Sequence, residues 1–133
     1  MNGWYGFDLD GTLAHYDGWH GPTHVGAPVL RMVDRLKAML AEGKTCRIFT
    51  ARVFPIMLIM PDDTLHFEGS STRQGDAESS AHAIRAWCME HLGRVLPITC
   101  VKDYGMIELY DDRAKQVIPN TGVLVEEMVK ETA

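Results

Sequence analysis

Short apolar segments alternate with longer segments of helical periodicity along this chain, and that order limits the folds it can adopt. Four segments are apolar and short enough to be buried strands: residues 4–10, 45–50, 97–101 and 106–110. Residues 28–43 and 77–93 place apolar side chains three or four positions apart, and each of these segments ends at a glycine, as amphipathic helices commonly do. The alternation predicts an α/β fold, Rossmann-like, with a mainly parallel sheet flanked by helices and right-handed crossovers.

The size and composition of the chain indicate one compact domain. Its 133 residues, 46% of them hydrophobic, can build one core, and we expect a single domain over 1–133. The net charge of −5 disfavours binding to a long nucleic acid or an anionic membrane. It does not exclude a short nucleic acid or a single nucleotide as a ligand. No apolar run approaches the ~18 residues of a membrane span, and the first residues lack an export signal. We therefore expect no membrane partner.

The three cysteines, Cys46, Cys88 and Cys100, are odd in number and lie far apart, with no CxxC spacing. That pattern disfavours both a disulfide framework and a zinc knuckle. It fits a protein of the reducing cytoplasm, which is the location we expect.

Acidic and other polar residues stand where the predicted strands end. The segment FDLDGTL at 7–13 places two aspartates directly behind the first strand, and polar residues follow the other strands as well. The whole group comprises Asp8, Asp10, Thr50, Lys102, Asp111 and Asp112. In a parallel sheet all these positions meet at the carboxyl edge, where open α/β sheets bind ligands. Each residue alone has an ordinary structural explanation, such as capping a helix or being solvated.

The aspartates of this group gain significance from being together. Carboxylates crowded at one edge repel each other unless a cation neutralises them. A set of oxygen ligands with an incomplete protein shell suits Mg²⁺, which keeps water ligands and accepts phosphate oxygens. The sequence therefore predicts an Mg²⁺ site at this edge of the sheet.

Four motifs, in the order FDLDGTL, FTAR, VKD and LYDD, resemble those of the haloacid dehalogenase superfamily of aspartyl phosphatases. The resemblance spans about residues 4–118, and the DxDGT pentapeptide behind an apolar strand is its most specific part. It implies an Mg²⁺-dependent phosphomonoesterase that works through a phospho-aspartate intermediate. Members that dehalogenate carbon substrates lack the second acid and the metal, so the presence of Asp10 disfavours dehalogenation.

The resemblance also implies a role for each acid of the first motif. Asp8 would be a metal ligand and the nucleophile that attacks phosphorus, kept ionised by Mg²⁺ and Lys102. Asp10 would protonate the leaving oxygen and later take a proton from the attacking water, since it lies on the same side of the extended strand. The backbone carbonyl of Asp10 would also reach the metal.

The later motifs complete the implied site. Thr50 would donate a hydrogen bond to a phosphoryl oxygen, and Lys102 would offset the charge on nucleophile and phosphate together. Asp111 would bind Mg²⁺ directly. Asp112 would be a second ligand or an outer partner of the first one.

A finer likeness concerns LYDDRAKQV, which is similar to the fourth motif of the phosphatase half of phage-type polynucleotide kinases. Arg113 carries that likeness, and FTAR with Arg52 is compatible with the same enzymes. It points to a nucleotide or a nucleic-acid 3′-phosphate as substrate, although a phosphorylated small molecule stays open. Both arginines are candidates for binding a second anionic group, with effects on affinity more than on the chemical step. The alternative for each is a surface ion pair.

Two connecting segments decide how open the site is. Residues 14–28 are long enough for a flap only, and residues 53–76 read as an irregular insertion, so neither forms a full cap domain. Family members built this way often act on large substrates or cover the site with a neighbouring subunit, which makes a homo-oligomer one expectation. Within the insertion, the apolar run at 56–60 is either a buried strand that fills space or an exposed Met-rich contact surface, and burial is slightly favoured.

Three histidines, His15, His20 and His24, lie in the segment that follows the proposed nucleophile. A zinc site would want tighter ligand geometry and usually cysteine. Contact with the substrate is the favoured interpretation.

The sequence leaves two other functions open. A receiver module of a response regulator also combines acids, Thr and Lys around Mg²⁺ and accepts a phosphoryl group without free turnover. Chain order argues against it, because receivers place the paired acids first, whereas here the DxD motif comes first and the Asp-Asp pair last. A non-turnover phosphate-binding descendant of the phosphatases is the other alternative.

Overall fold

The described chain forms a four-stranded parallel sheet, a separate two-stranded hairpin and three helices. The structure is a computed structural model that describes residues 3–53, 56–59, 61–68 and 71–132. In chain order the elements are β1 (Trp4–Asp8), α1 (Leu30–Ala41), β2 (Cys46–Phe49), β3 (Ile56–Ile59), β4 (Leu65–Glu68), α2 (Ser71–Leu92), β5 (Ile98–Thr99), β6 (Met106–Tyr110) and α3 (Val125–Thr132). The sheet order is β5-β2-β1-β6, with every neighbouring pair parallel.

One face of this sheet forms the core with the two longer helices. Phe7 of β1 pairs in register with Ile48 of β2 and Tyr110 of β6, so these three side chains point to the same face. Phe7 and Tyr110 stack with ring centroids 4.6 Å apart. The buried cluster on this face joins the strands to Val33, Leu36 and Met39 of α1 and to Ile84, Trp87 and Cys88 of α2. Burial of these apolar side chains fixes both helices against the sheet.

The connection from β5 to β6 brings the last strand to the far edge of the sheet. It is short and contains no helix, and it contacts Trp4 on the face opposite Phe7. The Trp4 backbone N–H donates to the carbonyl of Gly105 at 2.8 Å, and its indole N–H donates to Asp103 at 2.8 Å. β6 therefore lies directly beside β1, which places the residues after both strands together.

The predicted α/β fold is confirmed, and so are most of its elements. Helix α1 ends at Ala41 with Glu42 as its C-cap, and Gly43 follows in the left-handed region with φ +85°, as the glycine stop predicts. The strand predicted at 97–101 is shorter, because β5 pairs with β2 only at Ile98 and Thr99. The last described helix, α3, follows a single bridge between Val117 and Leu124.

The prediction of an irregular insertion over 53–76 is wrong. Within the described residues this segment contains the antiparallel hairpin β3–β4, and α2 begins at Ser71 rather than near Ala77. The turn of the hairpin is stabilised by Asp62, whose carboxylate accepts hydrogen bonds from the backbone and hydroxyl of Thr64. The expected burial of the run at 56–60 concerns side chains outside the described part of the structure.

The two connecting segments contain no separate cap domain in the part of the chain that the structure describes. Residues 14–28 form only isolated bridges and turns, and the hairpin is the sole sheet described between β2 and α2. Among the described helices, none has the length and apolar character needed to cross a membrane.

Candidate functional site

Three aspartates meet at the carboxyl edge of the sheet, where β1 and β6 end side by side. Because Phe7 pairs with Tyr110, the residues that follow each of them, Asp8 and Asp111, emerge at the same level. Asp8, Asp111 and Asp112 each offer a carboxylate oxygen, and these oxygens all lie within 4.8 Å of one another. We call these three side chains the carboxylate group.

The turn after β1 holds the carboxylate group together through Thr12. Its hydroxyl oxygen lies 3.3 Å from Asp8 Oδ2 and 3.3 Å from Asp112 Oδ1, and it accepts the backbone N–H of Asp112 at 3.1 Å. Gly11 has φ +88°, and a Cβ at this position would lie 2.5 Å from Asp112 Oδ2. Only glycine therefore allows the turn and Asp112 to approach this closely.

The carboxylate group changes the acidity of Asp8. Burial, a hydrogen bond shared with Asp112 and the negative charges of Asp111 and Asp112 together raise the pKa of Asp8 from 3.8 to about 7. The hydrogen bond from Thr12 opposes this change. Near neutral pH the group therefore carries less than its full negative charge, and a positive ion in its midst would restore the ionised form.

The donor set of this group fits a divalent cation with hard oxygen ligands. Three carboxylates from one loop and one strand end supply oxygens only, with no nitrogen or sulfur ligand, which matches the preference of Mg²⁺. Acidic groups are common on protein surfaces without any ion. Here, however, burial together with the neighbouring negative charges raises the pKa of Asp8, so a bound cation would relieve a cost that the fold already carries.

Asp10 does not join the carboxylate group, because its side chain faces Arg52. The guanidinium Nε donates to Asp10 Oδ2 and Nη2 donates to Oδ1, both at 2.7 Å. This bidentate pair is well shielded, since the Arg52 side chain is 5% exposed and that of Asp10 20%. The arrangement fixes the orientation of the Asp10 carboxylate. The expected contact of its backbone carbonyl with a metal stays a prediction.

Arg52 also ties the segment 14–28 to the site. Its Nη1 donates to the carbonyl of Pro22 at 3.4 Å, and its guanidinium carbon lies 5.0 Å from the ring centroid of Trp19. The same Pro22 carbonyl accepts the hydroxyl of Ser80 on α2 at 3.1 Å. The segment is therefore packed over Asp10, and one buried arginine connects the flap to the candidate acid.

Thr50 and Lys102 lie at the same edge of the sheet, but Thr50 is buried and Lys102 is exposed. Thr50 is buried, and its hydroxyl oxygen accepts the backbone N–H of Arg52 at 3.2 Å, which leaves its own proton to donate. Lys102 is exposed and lines the cleft beside Asp111 and Asp112. Among the described carboxylates, none forms an ion pair with Lys102.

The structure does not bring the remaining candidates into the carboxylate group. Arg113 is exposed, its backbone N–H donates to Asp111 Oδ1 at 2.9 Å, and its side chain is not among those lining the cleft. The rings of His20 and His24 lie 5.0 Å apart, and His20 contacts Asp17 at 2.7 Å. Within the described residues, the carboxylate group is the cluster with metal-binding geometry, and it contains no histidine.

Sequence reasoning missed Thr12 and the partner of Asp10. Thr12 was visible as the last polar residue of the first motif, but the contact with Asp112 joins residues 100 positions apart. The Asp10 and Arg52 pair spans 42 positions, and an isolated arginine after a strand gives no indication of which carboxylate it meets. Both contacts depend on strand order, which the sequence did not specify.

Comparison with known proteins supports the fold. No protein-family model matches this chain, and no curated protein gives a significant match. Among solved structures, the chain is similar to a conserved protein from Bacteroides thetaiotaomicron, with a TM-score of 0.51 and 20% sequence identity. The similarity covers 100% of this chain and 93% of that protein. At this identity the likeness shows the Rossmann-like α/β fold and nothing further.

The raised pKa of Asp8 predicts a specific pH dependence of stability when divalent cations are removed by a chelator. Between about pH 4 and pH 7 the folded protein holds a proton at Asp8 that the unfolded chain has released, so the free energy of unfolding falls as pH rises through this window. Asp8→Asn should remove this component and be more stable than the wild type at pH 8, by on the order of 1–3 kcal/mol.

Urea unfolding from pH 4.5 to 8.5 measures this difference, because titrating groups remote from the carboxylate group contribute equally to both proteins. Asp34→Asn, which changes an exposed aspartate on α1, serves as the control and should follow the wild-type curve. Parallel curves for Asp8→Asn and the wild type would show that Asp8 titrates normally.

Proposed function

We propose that this chain is a Mg²⁺-dependent phosphomonoesterase of the haloacid dehalogenase superfamily that acts through a phosphorylated Asp8. The observation that supports the proposal best is the carboxylate group at the carboxyl edge of a parallel sheet, with Asp8 at its buried end. The motif order described for the sequence assigns the same residues to the same chemistry. The proposal concerns a cytoplasmic enzyme, in line with the cysteine pattern.

Asp8 would act as the nucleophile. Mg²⁺, when bound by Asp8, Asp111 and Asp112, supplies positive charge that favours the ionised carboxylate and offsets the charge of the phosphate. One oxygen of Asp8 forms a bond to phosphorus while the bond from phosphorus to the ester oxygen breaks, and that electron pair leaves with the ester oxygen. Thr12 would keep Asp8 oriented through the hydrogen bond that joins it to Asp112.

Asp10 would transfer protons in both halves of the reaction. Because Asp10 is paired with Arg52 as a carboxylate, it would first take up the proton that a monoanionic phosphate ester carries and pass it to the departing ester oxygen. In the second half it would take a proton from the water whose oxygen attacks phosphorus and releases Asp8, and then lose that proton to solvent. The bidentate contact with Arg52 occupies one acceptor position on each carboxylate oxygen, so each oxygen retains a second position for water or the leaving group. Arg52 would thus position Asp10.

Thr50 and Lys102 would bind the transferred phosphoryl group. The Thr50 hydroxyl is held by the backbone of Arg52 and has a proton to donate. The Lys102 ammonium is free of described carboxylate partners and stands in the lining of the cleft beside Asp111 and Asp112. The substrate would be a phosphorylated small molecule, a nucleotide or a nucleic-acid 3′ end, and a neighbouring subunit could complete the cover of this open site.

The proposal predicts metal-dependent turnover that requires Asp8. With an aryl phosphate and Mg²⁺, the wild type should release phosphate over many turnovers, and a chelator should stop the reaction. Asp8→Asn should lower kcat by roughly three orders of magnitude or more, because an amide at this position lacks the carboxylate oxygen that would attack phosphorus. Asp34→Asn should retain wild-type kcat.

Two results would contradict this function. Turnover that is indifferent to the chelator would remove the role of the metal, and full activity of Asp8→Asn would remove the nucleophile. A stable phosphoprotein formed from acetyl phosphate without further turnover would instead favour the receiver-like alternative.

Arg52 provides a second kinetic prediction. The sequence alone suggested an effect on affinity, but the contact with Asp10 predicts that Arg52→Ala lowers kcat about 10²-fold, the size of a general acid or base contribution. KM should change by about threefold at most, since the guanidinium is turned away from solvent. Arg52→Lys should recover part of kcat. Arg113→Ala is the matched control and should leave kcat unchanged.

Steady-state kinetics of the three variants on one aryl phosphate decides between these roles. A rise in KM for Arg52→Ala at constant kcat would restore the substrate-binding role and show that Asp10 keeps its position without Arg52.

A further inference from the structure

A cleft of about 910 Å³ extends from the carboxylate group along the outer edge of the sheet. Its lining includes Thr12, Asp111 and Asp112, residues of α1 and β6, and residues of the segment that follows β6. The volume is in the range of pockets that hold a small organic ligand. The cleft therefore offers space for the part of a substrate that lies beyond the transferred phosphoryl group.

Two arginines of α1 line this cleft. Arg31 and Arg35 are four residues apart on the helix, so their side chains leave the same face about 6 Å apart along its axis. The guanidinium carbon of Arg35 lies 5.9 Å from the ring centroid of Tyr110, the residue that directly precedes the Asp-Asp pair. Arg35 is thus held beside the end of β6, next to the carboxylate group.

Neither arginine has an acidic partner among the described residues. An exposed arginine on a helix is ordinarily a solvated surface residue. This pair differs because both side chains line the same cleft, and because Val29, at the start of α1, is joined to the turn after β1 by its hydrogen bond to Leu13. The first turns of α1 are therefore fixed relative to the carboxylate group.

The charges that line the cleft favour a bound anion once a cation occupies the carboxylate group. Arg31, Arg35 and Lys102 face Glu108, Asp111 and Asp112. With a divalent cation bound, five positive charges, two of the ion and three of the side chains, stand against the four carboxylates of Asp8, Asp111, Asp112 and Glu108. The electrostatic potential in the cleft then becomes positive, and bidentate arginines are well suited to phosphate.

We propose that this cleft binds the leaving group of the substrate and that Arg31 and Arg35 bind a second phosphate on it. The substrate class is therefore a compound with two phosphate groups, one of which is transferred to Asp8 while the other is held by the two arginines. This inference rests on the proposed phosphatase activity and specifies its substrate. Arg31 and Arg35 set specificity and take no part in bond breaking.

Matched substrates test the proposal. We expect the wild type to hydrolyse at least one bisphosphate in a series of straight-chain diol bisphosphates of increasing length with kcat/KM roughly tenfold or more above that of the corresponding alkyl monophosphate. The double variant Arg31→Gln/Arg35→Gln should lose this preference through a higher KM for the bisphosphate. Its kinetics on the monophosphate should stay within about twofold of the wild type.

A control variant that removes two other positive charges distinguishes binding by Arg31 and Arg35 from a general effect of net charge. Lys37→Gln/Arg85→Gln removes two exposed cations of α1 and α2 that do not line the cleft, and it should keep the preference for the bisphosphate. Equal kcat/KM values for both substrates in the wild type would overturn the proposal. A preference that survives in the arginine double variant, or disappears in the control, would do the same.

A binding measurement keeps the two proposals distinguishable. Calorimetry with Asp8→Asn protein, Mg²⁺ and the same substrates should show tighter binding of the bisphosphate that depends on Arg31 and Arg35. If no phosphate ester is hydrolysed but this dependence is present, the phosphatase proposal fails and the cleft stands as a bisphosphate site. If turnover occurs without the dependence, the cleft proposal fails alone.

Discussion

The repulsion among three carboxylates at the ends of β1 and β6 is the constraint on which the rest of the site depends. Asp8, Asp111 and Asp112 are brought within 4.8 Å of one another by parallel pairing of two strands that are far apart in the sequence. The fold stabilises this arrangement by other means, through the buried stack of Phe7 on Tyr110 and the hydroxyl of Thr12. The cost that remains is the free energy of ionising a half-buried Asp8 beside two other acids, and it raises the pKa of Asp8.

The ion pair of Asp10 and Arg52 lies beside the carboxylate group and has its own balance of charge. Asp10 lies two residues after Asp8, yet its charge is matched by Arg52 rather than shared with the other acids. The two acids of one motif therefore have opposite environments, one surrounded by negative charge and the other paired with a buried cation. Acids with such different surroundings are suited to different chemical tasks, which is the division of roles that the proposed mechanism needs.

The sequence predicted the strands of the parallel sheet and the helix α1 well, because each is encoded by a local pattern of apolar residues. Buried parallel strands are short apolar runs, and α1 shows helical spacing with a glycine stop at Gly43. A strand at 56–60 was one of two interpretations, since periodicity alone does not assign a continuous apolar run, and its pairing with β4 in a hairpin was missed. The early start of α2 was missed because its first turns, from Ser71, lack an apolar stripe.

The candidate site was predictable only in part. The positions of the acids followed from strand ends, whereas their partners depend on strand order and on long-range contacts such as those of Thr12 and Arg52. Arg31 and Arg35 could not be singled out, because in the sequence they occupy the solvent face of an amphipathic helix. Their significance comes from the cleft, which exists only once β6 lies beside β1.

The most direct test of this account is the number of protons released when Mg²⁺ binds. Calorimetric titrations in buffers of different ionisation enthalpy measure it. With a pKa of about 7 for Asp8, binding at pH 7 should release about half a proton per ion, and this release should fall towards zero by about pH 9. Asp112→Asn should weaken binding strongly. Absence of saturable binding, or binding at pH 7 with no proton release, would contradict the claim that Asp8, Asp111 and Asp112 form one cation site.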